Sequence, residues 1–395
     1  MTMTATRPQL KAAAAATFLI FGINGLVFAS WAARIPAVTD ILHITSGQMG
    51  TLLLCVAVGS LIALPSAGLV VGRIGTANTV RAAGLAAAAA GVGIALALLA
   101  ESVPGTAVAL FFFGIGIGLW DVAQNIEGAD VEHRLGRTIM PRFHAAFSGG
   151  AFLGALIGAG LSSLGVGLPA HLLVIAAVVA VLTTLAPRYF LPHIAAPVPP
   201  AGEAKPAKGP SAWRDGRTLL IGMVVLGATL TEGAGNDWIA KASVDGLDAP
   251  QSTGALLFAA FVLAMTATRF FGGRAIDAYG RVAVLRASMA AAAAGLALFV
   301  LAGNIWLATA GAVLWGAGAA LAFPVGMSAA ADEPRHAAAR VAVVSTIGYV
   351  AFLAGPPLLG YLGDVTGIRL ALLAIGVPIL GALLLAGAAK PLRAR

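Results

Sequence analysis

The sequence predicts an all-α integral membrane protein, with twelve spanning helices set as two pseudo-symmetric bundles of six. Three observations carry that prediction. Twelve apolar segments follow one another along the 395 residues, each about 20 residues or longer, enough to cross roughly 30 Å of hydrocarbon at about 1.5 Å per residue. The chain is 59% hydrophobic and 10% charged, against roughly 25% charged in soluble domains. Of the 24 Lys and Arg, twenty fall on one side of the segments and only Arg34, Lys241 and Arg369 on the other, with Arg269 inside a segment. That bias is the positive-inside pattern. It places both termini in the cytoplasm and explains the net charge of +8 as topology, not as a nucleic-acid footprint.

The first segment, 12–37, follows Arg7 and Lys11. Ala29-Ser30-Trp31-Ala32-Ala33 loosely resembles a cleavage site, but the apolar run exceeds the roughly 7–15 residues of a signal-peptide core, so it is read as an uncleaved helix. The second, 47–71, holds Cys55, the single cysteine, which excludes a disulfide framework or a Cys-based metal site. The third, 79–100, lies beyond Arg73. The fourth, 104–130, contains Gly114-Ile115-Gly116-Ile117-Gly118, which is no dinucleotide loop because it sits inside an apolar helix and not after a strand. The fifth, 141–165, spaces Gly150, Gly154 and Gly158 for close helix packing, and the sixth is 168–187. The seventh to tenth are 218–244, 252–275, 282–302 and 304–331. The eleventh, 338–364, carries Gly355-Pro356-Pro357, and the twelfth is 368–389.

Between the sixth and seventh segments, 188–217 is basic and Pro-rich and reads as a flexible cytoplasmic linker. The expected organisation is therefore a bundle over 1–187, the linker over 188–217 and a second bundle over 218–395. The two bundles resemble each other. Trp31-Ala32-Ala33-Arg34 matches Trp238-Ile239-Ala240-Lys241, Gly116-Ile117-Gly118 matches Gly316-Ala317-Gly318, and Phe152-Leu153-Gly154 matches Phe352-Leu353-Ala354. Repeats with an even helix number are parallel, and folds built this way place the substrate near the membrane midplane between the halves.

The loop Gly273-Arg274-Ala275-Ile276-Asp277-Ala278-Tyr279-Gly280-Arg281 resembles the G-x-x-x-D-x-x-G-[RK] signature of the major facilitator superfamily. Its counterpart, Gly68 to Thr76, keeps the glycines and Arg73 but has Gly72 where the Asp is expected and Thr76 where a basic residue is expected. The resemblance covers essentially the whole chain. Within the superfamily, Gly118-Leu119-Trp120-Asp121-Val122-Ala123-Gln124-Asn125 looks like the fourth helix of fucose–proton symporter relatives. The resemblance implies a cytoplasmic latch built on Arg73 paired with Glu127, and on Asp277 with Arg281 paired to Asp332 or Glu333.

An ionisable group in a spanning helix costs at least about 2.5 kcal/mol to insert, so it is a functional candidate by default. Asp121, Glu232 and Asp237 are the candidates for proton coupling. Gly114, Gly118, Asp121 and Asn125 share one helical face, and the repeat partner of Asp121 is Leu321, so the fold alone does not demand a polar group there. Asn24, Trp120, Gln124, Asn125, Asn236, Arg269 and Trp315 are the candidates for substrate contact. Arg269 lies near a helix end and can snorkel; His144 is read as interfacial.

The sequence holds no P-loop and no catalytic-metal spacing, and no cofactor is expected. The reading is a monomeric inner-membrane transporter, not an enzyme, taking up a small polar solute such as a sugar together with protons. The alternative is a proton-antiport exporter of drugs or metabolites. Exporters of the superfamily follow the glycine spacing of the fifth helix with a proline, which is missing after Gly154.

Overall fold

The computed structural model describes residues 6–136, 139–192, 212–333 and 336–392. Residues 193–211 of the expected linker lie outside the described residues, as do the basic residues Arg137, Lys205, Lys208, Arg335, Arg393 and Arg395. The described chain is helical: α1 Arg7–Ala32, α2 Ile35–Leu42, α3 Ser46–Leu99, α4 Val103–Leu135, α5 Met140–Ser163, α6 Leu168–Leu185, α7 Gly216–Leu247, α8 Gln251–Tyr279, α9 Arg281–Leu301, α10 Ile305–Ala319, α11 Ala322–Ala330, α12 Ala337–Thr366, α13 Ile368–Ala371 and α14 Gly376–Leu385. Among the described residues there is no strand.

Polar residues fix the helix starts. Thr45 accepts a hydrogen bond from Gln48 N at the head of α3, Ser102 from Gly105 N at α4, and Asn304 from Trp306 N and Leu307 N at α10. Each satisfies backbone N–H groups that a helix start leaves unpaired.

The second and third segments are not separate helices with a gap. They join as α3, 54 residues long, and the chain turns at Gly75 (φ 79°, ψ 164°). Gly280, between α8 and α9, adopts nearly the same conformation (φ 81°, ψ 158°). Both are the last glycine of the repeated loop motif, and only glycine takes this geometry without strain. Among the described residues, eleven helices are long and apolar enough to cross a membrane, and α3 is long enough to cross twice.

Two other segments break where proline requires it. The first segment ends at Ala32 and not at 37, because Pro36 opens α2. The tenth divides between Ala319 and Ala322, with Pro324 in the first turn of α11.

The chain forms two compact units, Met1–Ala196 with Pro250–Ala259, and Pro197–Ala249 with Ala260–Arg395. The first turns of α8 thus pack with the first unit, where Gln251 Nε2 donates to Asp40 Oδ2 at 2.7 Å. In that unit α1 and α5 meet backbone to backbone. A Cβ at Gly25 would run into the Phe147 carbonyl, and one at Gly150 into the Gly22 carbonyl. Small residues that let helices approach this closely are the usual packing device where lipid removes the hydrophobic drive between helices.

Candidate functional site

In the first unit, α4 carries Asp121 exposed on its surface. Gln124 Nε2 donates to Asp121 Oδ1 at 3.0 Å, and Asn125 Nδ2 donates to the same oxygen at 3.3 Å and to the Asp121 carbonyl at 2.8 Å. The i+3 and i+4 spacing on one helix makes this arrangement local. His144, on α5, lies within electrostatic range of the carboxylate and packs edge-on to Phe21. It is exposed and a neighbour of the acid.

Other expectations on α4 are corrected. Gly114 and Gly118, on the face of Asp121, pack against the α3 backbone at Val56 and Ser60. Trp120 is fully buried, its Nε1 unpaired, and Gln124 is fully buried too, so neither presents a surface to a solute. Asn24 is likewise buried, with Nδ2 unpaired.

Glu127 does not pair with Arg73. Its Oε2 accepts from Thr76 Oγ1 at 2.6 Å and its Oε1 from Leu191 N at 2.8 Å. Thr76, standing where a basic residue was expected, takes the acid inward, while Arg73 stays exposed. The carboxylate thereby ties the chain just after α6 to the Gly75 turn.

The second unit is built differently. Arg269 Nη2 pairs with Glu232 Oε2 at 2.7 Å, the side chains 32% and 21% exposed. Arg269 Nε also donates to the Ala320 carbonyl at 3.1 Å. That carbonyl is free because Pro324, four residues on, has no N–H to give it. Snorkelling therefore does not describe Arg269, which closes an ion pair across α7 and α8 and fills a proline-made gap in the tenth segment. Trp315 packs edge-on to Phe261 and tilted to Phe299 and is fully buried, so it is core and not a substrate platform. Asn236 is half-buried on α7. Asp237 lines a small cavity between α7 and α12, against Phe352, Pro356 and Trp238.

Of the latch residues, Arg281 does meet Asp332, at 2.5 Å, and Asp332 also holds Arg217 at 2.8 Å. Glu333 pairs instead with Arg340 and His336. Asp215, the N-cap of α7, accepts from Thr218 Oγ1 and pairs with Arg340; the Thr218 hydrogen bond above all holds its carboxyl below the usual range. Asp277 is exposed.

The three basic residues on the sparse side are not free surface charges. Arg34, buried, donates to the carbonyls of Gly158 and Val166 at the end of α5, and Arg369 to those of Gly246, Phe299 and Ala302 at the ends of α7 and α9. Cations at helix C-termini satisfy the last carbonyls and the helix dipole. Lys241 pairs with Asp245 at 2.7 Å.

Similarity to known proteins agrees with this architecture. The profile of the Major Facilitator Superfamily matches residues 235–395. The chain is 34% identical over 365 residues to the uncharacterised transporter y4wD of Sinorhizobium fredii, spanning 90% of this chain and 93% of that one. It is 29% identical over 360 residues to an uncharacterised MFS-type transporter of Yersinia pestis, spanning 90% of each. Among solved structures, the nucleoside transporter NupG superposes with a TM-score of 0.73, covering 95% of this chain and 98% of that one at 14% identity, a likeness of fold.

Proposed function

The chain belongs to the major facilitator superfamily as a multi-pass membrane transporter, and from that premise we propose that it takes up a small polar solute together with protons, Asp121 carrying the proton. The observation that carries this reading is the pairing pattern of the two acids set on their own helix surfaces. Glu232 is neutralised by Arg269. Asp121 has only the neutral amides of Gln124 and Asn125 as hydrogen-bond donors, so it can gain and lose a proton without breaking an ion pair. A carboxylate inside a spanning helix is a proton-relay position by default. The nearby His144 imidazole supplies a second group able to change charge between about pH 5 and 8.

An uncharged polar solute suits these surfaces. Asn125 and Asn236 offer amide donors and acceptors, while the charge of Arg269 is already satisfied. The resemblance of the fourth helix to fucose–proton symporters and the nucleoside transport named for NupG both concern such solutes. The test is a panel of radiolabelled monosaccharides and nucleosides offered to proteoliposomes acid outside. At least one should accumulate while the external medium turns alkaline. Flux with no proton movement would sink the coupling, and accumulation only under the reversed gradient would make the protein an exporter.

The twenty-to-three basic bias supports an inner-membrane orientation with both termini and 188–217 in the cytoplasm. Reporter fusions at Arg214 and after Arg395 are expected to be active only as cytoplasmic reporters, and an external signal from either would overturn the orientation. On that side the Arg217–Asp332–Arg281 cluster is the stronger latch candidate, since among the described residues no acid pairs with Arg73.

A further inference from the structure

Arg81 and Arg188 bring two positive charges to one end of the first unit with no carboxylate to answer them. Arg81 lies on α3 beyond the Gly75 turn. Its Nε donates to the Thr184 carbonyl at the end of α6, at 3.2 Å, and its Nη1 to Asn78 Oδ1 at 2.8 Å. Among the described residues, the N–H groups of its Nη2 are left over. Arg188 follows Thr184 by four residues, about one turn. It sits 4.7 Å from the centre of the Tyr189 ring and donates to the Tyr189 hydroxyl at 2.8 Å. Among the described residues no acid pairs with either arginine. Glu127, which the chain meets three residues later at Leu191, is buried and already bonded to Thr76 and Leu191.

The surface running away from these charges is apolar. The later part of α3 and α6 lie antiparallel, since a Cβ at Gly84 would strike Thr183 and one at Gly91 would touch Ala176. Each helix leaves an exposed stripe. On α6 it is Val174, Val178, Val181 and Leu185, one helical face, and three and four residues further come Arg188 and Tyr189. On α3 it includes Leu96 and Leu85, and four residues before Leu85 stands Arg81. Both stripes therefore finish at an arginine, at the same end of the helix pair. In a membrane-spanning protein such stripes meet acyl chains, and an exposed Tyr beside basic residues belongs at headgroup level.

A phospholipid has the matching distribution of chemistry. Guanidinium N–H groups fit phosphate oxygens as paired donors. The missing acid then selects the headgroup. A zwitterionic lipid brings an ammonium that finds no carboxylate here and is repelled by the arginines, whereas an anionic lipid keeps a net charge for them to attract. We propose that this end of the α3–α6 surface binds one anionic phospholipid, its phosphate held by Arg81 and Arg188 and its acyl chains laid along the two stripes. The site requires only that the chain spans a membrane, and it is independent of the solute, the proton assignment and the direction of transport.

The experiment uses the full-length protein, delipidated in a neutral detergent and titrated with phosphatidylglycerol or phosphatidylcholine of identical acyl chains. Native mass spectrometry counts bound lipids and the thermal midpoint follows stability. Phosphatidylglycerol should give one saturable adduct and raise the midpoint, as a ligand of the folded state must, while phosphatidylcholine at the same mole fraction should do neither. Arg188→Gln should weaken that adduct about fivefold, the worth of one basic group at an anionic surface. Arg81→Gln combined with Arg188→Gln should reduce binding to the phosphatidylcholine level. Arg142→Gln, which removes an exposed charge elsewhere on the same unit, should leave it unchanged. If the two lipids bind alike, if the double variant keeps the preference, or if Arg142→Gln costs as much as Arg188→Gln, the inference is wrong. Inorganic phosphate at equal concentration should not raise the midpoint; if it does, the site takes free anions and the lipid assignment falls. Should loss of the donor to the Thr184 carbonyl prevent folding of the double variant, Arg188→Gln decides, and unchanged affinity there overturns the site.

Discussion

Asp121→Asn should abolish accumulation driven by a pH gradient while leaving substrate binding and exchange in place. The amide mimics the protonated acid in size, and it keeps an oxygen to accept from Gln124 and Asn125, which hold the wild-type carboxylate at 3.0 and 3.3 Å. Exchange moves no net proton, so a transporter fixed in its protonated form can still swap labelled for unlabelled solute. Net uphill movement, which requires the proton to leave, should fall to the passive level. Counterflow and gradient-driven uptake, measured in the same vesicles, separate the two. Glu232→Gln is the comparison: if it alone removes the driven flux, the proton site moves to α7. Full driven accumulation by Asp121→Asn would make Asp121 a structural polar group.

The second large effect is expected at the Glu232–Arg269 pair. Removing one member of a fully buried pair costs about 3–5 kcal/mol, because the survivor is left as an uncompensated charge. Here the side chains are 32% and 21% exposed, so solvent screening reduces the expectation for Arg269→Gln to about 2 kcal/mol. Part of that loss is the Ala320 carbonyl, which Pro324 cannot satisfy once the guanidinium is gone. Adding Glu232→Gln to Arg269→Gln should restore much of the stability by removing the unpaired carboxylate, yet leave transport impaired. A double-mutant cycle on thermal midpoints gives the coupling. If Arg269→Gln alone is as stable as wild type, the pair holds nothing together.

Much of the fold was legible in the sequence. Segment length and hydrophobicity showed the crossings, and the glycines of the repeated loop marked Gly75 and Gly280, which share one positive-φ turn. The acids set within apolar helices were legible too, because an ionisable residue there stands out against its neighbours. Which of them are paired was not legible. Arg269 finds Glu232 across 37 positions and Ala320 across 51, and local spacing carries no information about such contacts. One signal was available and missed: Pro324 frees the carbonyl four residues before it, so Ala320 was bound to need a donor from elsewhere.

The candidates misjudged from sequence failed for a common reason. A helix that is apolar on every side has no amphipathic stripe to separate a packed face from one bared to lipid or solute. Trp120 and Asp121 are neighbours in the chain, yet the tryptophan is fully buried and the acid exposed. Glu127 turned to Thr76 and Leu191 because the missing basic residue left a hydroxyl within reach. The sequence by itself determined the class, the crossings and the repeat, since these follow from the cost of burying polar backbone and charge in hydrocarbon. The tertiary structure alone decided which charges are neutralised and which stay open, since that depends on what distant helices bring within about 3 Å.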